Sequence, residues 1–284
     1  MSSTNLSEEQ LQQFNKDGYL IIKEFCSKPE VDKLYSTATR DKHNPGNALD
    51  LNGRPYKKTI PSWFTPGNDV FGYLERSEKI VSSVAQLLES DSPVCHIHSK
   101  LMEKVPHIGG VWEWHQDYAY WATNKFRSPG QMVSVMVALT PINKENGCSQ
   151  VIKGSHKSGS IKHCFEGERV GAEMEAVDKA LKTMELVYPE LEAGDVLFFH
   201  SNLLHRSKAN LGEGSSWSNI SCYSSQSNLS QKQIFTSWQT PVAVLPNEAI
   251  LQWEPSILPE SANVYNDNTP SWKGIRWGQL VAAS

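Results

Sequence analysis

Residues 94–105 read VCHIHSKLMEKV and residues 132–140 read MVSVMVALT. Both runs follow a period of two, which places His98, Lys100 and Met102 on one face of the first. The same period returns in CSQVIK at 148–153, DVLFFH at 195–200 and WSNISCYSS at 217–225. Turn signals punctuate these strands: Asn146-Gly147 is predicted to join the second run to the third as a two-residue turn, and Gly194-Asp195 to enter DVLFFH. One stretch breaks the pattern. In GAEMEAVDKALKTMELV, Met174, Val177, Leu181 and Met184 mark one face of a helix inserted between strands. Several short strands at this spacing predict a mainly β chain with flanking helices, folded as a double-sheet jelly roll, the double-stranded β-helix of cupin-like proteins.

Outward from this core the period becomes helical. LSEEQLQQFNKDGYLII predicts a short helix capped at Leu6 or Ser7, stopped at Asp17-Gly18 and followed by an apolar strand at 19–22. A second helix is predicted from Ser27 toward residue 41, with Pro29 in its first turn. Residues 42–68 carry Asn44-Pro45-Gly46, Asn52-Gly53 and Pro55, Pro61 and Pro66, a composition that predicts a long loop of the kind that serves as a lid. SEKIVSSVAQLLES then spaces Ile80, Val81, Val84, Leu87 and Leu88 as an amphipathic helix. The predicted organisation is one domain over 1–284, with the jelly-roll core at about 94–225. The N-terminal helices and the loop at 42–68 precede that core. A tail at 234–284, carrying Trp238, Trp253, Trp272 and Trp277, follows it and is expected to close over a substrate.

Composition narrows the function. The 284 residues hold 27 basic and 31 acidic side chains, for a formal charge of −4, and no Lys/Arg run forms a footprint for nucleic acid or a membrane surface. A small-molecule partner is expected. The five cysteines lie far apart with no CxxC pair, which predicts neither a disulfide framework nor a thiolate zinc site. No apolar leader and no run of about 18 apolar residues occurs, so the cytoplasm is the expected location.

The chemistry centres on WEWHQDYAYW at 112–121. On a strand, residues at i and i+2 share a face, so His115 and Asp117 are predicted to point together into the mouth of the jelly roll with Gln116 turned away. The third member of the set is predicted to be His205, at the end of DVLFFHSNLLHRS. Two histidines and one carboxylate on one face of an octahedron leave three positions open, the arrangement suited to a non-heme Fe(II) that handles O2. In the same register Trp112, Trp114 and Tyr118 fall on the opposite face as core residues. Tyr120 and Trp121 follow the ligands toward the mouth and are candidates for a substrate wall, with Gln226, in the loop after the last strand, as a further candidate.

HSKLMEK, WEWHQDYAYW, ENGCSQVIKGSHKSG and EAGDVLFFHSNLLHRSKAN, in this order and spacing over about residues 10–245, resemble the phytanoyl-CoA dioxygenase (PhyH) superfamily of Fe(II)/2-oxoglutarate-dependent oxygenases. That family includes ectoine hydroxylase and phytanoyl-CoA hydroxylase. The resemblance implies that His115, Asp117 and His205 are iron ligands. It also implies that 2-oxoglutarate is the cosubstrate, with Lys100, Met136 and Ser207 at the positions that line its pocket. Retention of Asp117 argues against halogenation, since related halogenases replace this carboxylate with a small residue. The implied activity is hydroxylation, or another oxidation, of an unactivated C–H bond.

At one position the chain departs from the family. The arginine that grips the far carboxylate of 2-oxoglutarate is expected eleven residues after the distal histidine, and that position is Ser216. A hydroxyl does not replace a bidentate guanidinium. Three readings follow: Lys100 compensates from another strand; a different oxo acid or none is used; or the chain is a catalytically impaired metal-binding relative. Persistence of all three metal ligands favours the first. His96 and His98, alternating on one strand, read as structural or as groups behind the ligands. Arg206, the neighbour of His205, is predicted to point away from it.

Overall fold

The alternating runs build two antiparallel sheets in a computed structural model that describes residues 5–40, 47–49, 55–57, 62–108, 111–166, 169–228 and 236–254. With elements numbered along the chain, the main sheet runs β1 (Tyr19–Ile22), β12 (Val196–His200), β7 (Met132–Ala138), β14 (Ser216–Ser225), β5 (Val94–Lys104) and β4 (Ser62–Trp63). The facing sheet runs β11 (Leu186–Val187), β8 (Ser149–Ile152), β13 (His205–Ser207) and β6 (Trp112–His115). Two further antiparallel pairs stand apart: β2 (Asn47–Leu49) with β3 (Pro55–Lys57), and β9 (His163–Glu166) with β10 (Arg169–Ala172). This is a jelly roll of two stacked sheets that do not close into a barrel.

Alternation decides which side chains meet which layer. On the outer face of the main sheet, Val133, Val135, Val137, Val196 and Phe198 pack against helices α1 (Glu8–Asp17), α2 (Lys28–Arg40), α3 (Val70–Glu75) and α4 (Glu78–Leu87). Their odd or even partners Met136, Ala138, Leu197 and Phe199 face inward and meet Cys148, Val151 and Leu203 of the smaller sheet. α6 (Met174–Thr183) buries Val177 and Ala180 over the outer face of that sheet, against Trp114, Ile152 and Leu204. Leu181 and Met184 join at its edge, whereas Met174, expected on the same face, is exposed in the first turn.

Local signals explain the helix ends. Ser7 caps α1 in a reciprocal box with Gln10: the Gln10 amide donates to the Ser7 hydroxyl, and the Ser7 amide donates to the Gln10 side chain. Gly18 ends the helix at φ 81°, and a Cβ there would lie 2.4 Å from His156 Nδ1, so both conformation and space demand glycine.

Two expectations change. Asn146-Gly147 does turn, with Gly147 at φ +85°, but it carries the chain from β7 in one sheet to β8 in the other and closes no hairpin. The expected loop at 42–68 contains the β2–β3 pair, and β4 joins the edge of the main sheet at Lys100 and Ser99. Its other residues before 62 lie outside the described set, as do Trp272 and Trp277 of the tail. Trp238 is buried with its indole N–H donating to Ile97, and the Trp253 indole donates to Asn68. No described helix is long and apolar enough to cross a membrane.

Candidate metal centre

β6 and β13 are neighbours with His115 directly opposite His205, so antiparallel pairing alone brings two imidazoles to one place, their ring centroids 4.1 Å apart. Asp117 arrives differently from the strand geometry predicted for it. The strand ends at His115, and Asp117 is already helical (φ −56°, ψ −36°), the residue that opens the short helix α5 (Tyr118–Ala122). The turn swings its carboxylate back over the imidazoles, and Oδ1 lies 3.6 Å from Nε2 of both His115 and His205. One ligand atom from each of the three residues lies within 4.8 Å of the others, the one such group among the described residues.

The donor set fits a divalent transition metal. The His115 Nδ1–H donates to the Glu113 carbonyl at 2.7 Å and the His205 Nδ1–H to the Leu203 carbonyl at 2.9 Å. A carbonyl only accepts, so each ring carries its proton on Nδ1 and turns the Nε2 lone pair inward. Burial, reinforced by His115, pushes His205 down to about 4 against the pull of Asp117, which keeps it a neutral ligand. Burial opposes ionisation of Asp117 as well, but His205, the hydrogen bond and charge of His115, and Lys100 outweigh it and hold the carboxyl below the ordinary range.

Gln116 turns away from the ligands and clamps the bend. Its amide donates to the carbonyls of Gly159 and Asn202 while its oxygen accepts from the Ile161 N–H. Ser134, an interior residue of β7, donates to Asp117 Oδ2 at 2.6 Å, and its oxygen lies 3.2 Å from Cys222 Sγ on β14. Neither was predicted. The available signal was a single polar residue inside the apolar run MVSVMVALT.

Of the cosubstrate candidates, Lys100 has its Nζ 4.6 Å from the centroid of the Trp112 ring, and its charge bears on Asp117, His205 and His98. Among the described residues its ammonium makes no hydrogen bond or ion pair, while its backbone lies between those of Ile220 and Ser62. Met136 is buried on the inner face of β7 beside Ile220, and Ser207 is buried on β13 opposite Ser149 and Trp112. Ser216 opens β14 directly across from Lys104, and its hydroxyl donates to the Asn146 carbonyl. The Lys104 ammonium donates to the carbonyls of Gly147 and Lys208, and burial pushes it down to about 8.

The aromatic residues sort differently from simple alternation. Opposite Ser207 and His205 the pairing slips by one residue, a bulge that turns Trp112 onto the side of the ligands, 6.1 Å from His115. Trp114 keeps the outer face, where Arg206 stacks on it at 4.6 Å. Tyr120, on α5, meets the His115 ring edge-on at 6.0 Å. Trp121 is buried among Phe126, Trp238 and His98. Gln226 lies past the far end of β14, its side chain bonded to the Gln239 carbonyl. A second bulge, opposite Cys222 and Tyr223, parts His96 from His98. His96 goes to the helix side against Tyr223, while His98 faces inward beside Trp121.

A jelly roll in which two histidines and one carboxylate converge is the architecture of the non-heme iron(II), 2-oxoglutarate-dependent oxygenases. The chain belongs to the phytanoyl-CoA dioxygenase (PhyH) family, whose model matches residues 14–216. Among its relatives, an ectoine dioxygenase of Streptomyces avermitilis is 28% identical over 153 residues, 52% of this chain and 51% of that protein, so the chain matches about half of that relative's length. The peroxisomal phytanoyl-CoA dioxygenase of Bos taurus is 25% identical over 248 residues, 78% of this chain and 69% of that one. The fold matches EctD from S. alaskensis, solved with 2-oxoglutarate and 5-hydroxyectoine, at a TM-score of 0.70 and 20% identity, covering 85% of this chain and 88% of that one.

Proposed function

We propose that this protein is an Fe(II)- and 2-oxoglutarate-dependent dioxygenase that hydroxylates, or otherwise oxidises, an unactivated C–H bond of a small molecule. The observation that carries the reading is the convergence of His115, Asp117 and His205 within 4.8 Å, with both histidines fixed by backbone carbonyls to aim Nε2 inward. Relatives named for ectoine and phytanoyl-CoA support a small-molecule substrate. Bound iron, 2-oxoglutarate and O2 supply the oxidising power, with succinate and CO2 as coproducts. The protein's own part is to hold these reactants in one orientation and to keep water out.

In this reading Lys100, Met136 and Ser207 line the cosubstrate pocket, and Lys100 is the counter-charge for the far carboxylate in place of an arginine at 216. Lys104 is the competing cation, but two carbonyls already hold its ammonium. Lys100 stands over Trp112, whose ring lies 6.1 Å from that of His115, and its charge helps to hold the Asp117 carboxyl low. Trp112 and Tyr120, flanking His115, form the aromatic side on which substrate is expected, with Trp121, buried beside His98, a further candidate. The loop at 42–68 and the tail are the candidate lids.

Anaerobic Fe(II) titration followed by 2-oxoglutarate tests the proposal. A visible charge-transfer band appearing on addition of the oxo acid is the expected result. Stoichiometric iron binding with no band would instead mark a metal-binding relative that does not use 2-oxoglutarate, the alternative raised by Ser216.

A further inference from the structure

We infer that Ser134, backed by Cys222, holds Asp117 as a one-oxygen ligand and so preserves the third open position that the proposed chemistry needs; the inference rests on the oxygenase reading above. The two oxygens of Asp117 have different surroundings. Oδ1 faces the imidazoles at 3.6 Å from each Nε2, while Oδ2 is engaged by the Ser134 hydroxyl at 2.6 Å. A carboxylate only accepts, so the hydroxyl hydrogen points at Oδ2, a short charge-assisted bond. The lone pairs left on Ser134 Oγ face Cys222 Sγ at 3.2 Å, which makes the thiol the donor. Burial, with the charge of Asp117, pushes this thiol up to about 12, so an S–H is present to donate.

This chain of hydrogen bonds is built into the middle of the main sheet. Ser134 and Cys222 are register partners on β7 and β14, two central strands of the main sheet, and both are buried. Asp117 has no such support of its own: it lies off the strand, and its side chain makes no cap bond to α5. Without Ser134, rotation about its Cβ–Cγ bond would let both oxygens chelate. Two histidines and a chelating carboxylate fill four of six positions, so a cosubstrate that takes two leaves none for O2. One carboxylate oxygen leaves three.

The test compares wild type with Ser134→Ala, Ser134→Thr and Cys222→Ala without oxygen. Metal affinity is read by Co(II) competition, 2-oxoglutarate affinity by the charge-transfer band of the Fe(II) form, and the open position by the electron paramagnetic resonance signal of nitric oxide added to that complex. Ser134→Ala is expected to keep Co(II) affinity and to lose about tenfold or more in 2-oxoglutarate affinity, or to lose the nitric oxide signal, with Ser134→Thr restoring both. Cys222→Ala should give a smaller change in the same direction. A Ser134→Ala protein that binds 2-oxoglutarate and nitric oxide as wild type does overturns the inference. Should wild type itself give no band, the cosubstrate reading fails separately. The water count on the bound metal then decides, read as water-proton relaxation of the Mn(II)-loaded proteins: fewer waters in Ser134→Ala, where chelation would take one of the three open positions, supports the one-oxygen assignment, and an equal count overturns it.

Discussion

At the scale of single residues, the question is which cation meets 2-oxoglutarate. Lys100 and Lys104 share the inner face of β5, yet only Lys104 is already fixed by two carbonyls. Lys100→Ala is therefore expected to weaken 2-oxoglutarate binding on the order of a hundredfold, the cost of removing one partner of a buried charge pair. Metal affinity, read by Co(II) competition, should stay unchanged. Ser216→Arg, which restores the family's guanidinium in sequence, is expected to fail. It would place a second cation opposite the desolvated Lys104 at a position only 4% exposed. Urea unfolding should show a loss of about 2–4 kcal/mol, from overpacking and an unpaired charge together. A variant of normal stability that binds the cosubstrate more tightly would remove Lys100 from its role.

At the scale of elements, the centre depends on the bend between β6 and α5. Gln116 satisfies three backbone groups from two other segments, those of Gly159, Ile161 and Asn202. Gln116→Ala leaves all three without that partner and is expected to cost about 2–4 kcal/mol. Because the bend alone brings Asp117 back over the imidazoles, Co(II) affinity should fall with it, and a variant with lowered stability but unchanged metal affinity would show that the bend holds without its clamp. The bulges opposite Ser207 and Tyr223 act at the same scale. Each adds one residue to a strand, and the side chains beyond it change faces.

At the scale of the whole molecule, metal and cosubstrate would join the two sheets, since His115 and His205 belong to one and Lys100, Met136 and Ser134 to the other. Saturation at about 100 times Kd should then add about 2.7 kcal/mol, seen as a rise in Tm that EDTA reverses. A second global effect comes from Glu75, fully buried between α3 and the main sheet. It accepts from the Trp63 indole at 2.9 Å and from Asn219, and burial pushes it up to about 8. The folded protein keeps this proton to about pH 8, whereas the unfolded chain releases it near 4.5. The stabilisation is therefore full at low pH and fades as pH rises through 8. The buried histidines His96 and His98, pushed down to about 3, and His200 and His205, pushed down to about 4, act in the opposite sense around pH 6.5, so Glu75 is read from the difference between wild type and Glu75→Gln. Between pH 6.5 and 8 the stability of wild type relative to Glu75→Gln should fall by about 1.4 kcal/mol per pH unit. Equal slopes in denaturant titrations of the two proteins would refute this.

Sequence by itself determined the layers and the ligand types. Period-two runs such as MVSVMVALT fix inner and outer faces because alternate side chains of a strand must point opposite ways, and Ser7 and Gly18 bound α1 through local hydrogen bonds and backbone freedom. His115, Asp117 and His205 were legible from residue type and motif order. What only the tertiary structure decided is how they meet. Asp117 belongs to a helical bend and not to the strand that HQD suggested, Trp112 crosses to the ligand side through a bulge, and Asn146-Gly147 links two sheets where a hairpin was predicted. Bulges, bends and sheet changes each depend on pairing with segments distant in sequence, such as β13 against β6. Ser134 and Cys222, 88 residues apart, become neighbours only when β7 and β14 pair, so no local pattern could have announced the support behind Asp117.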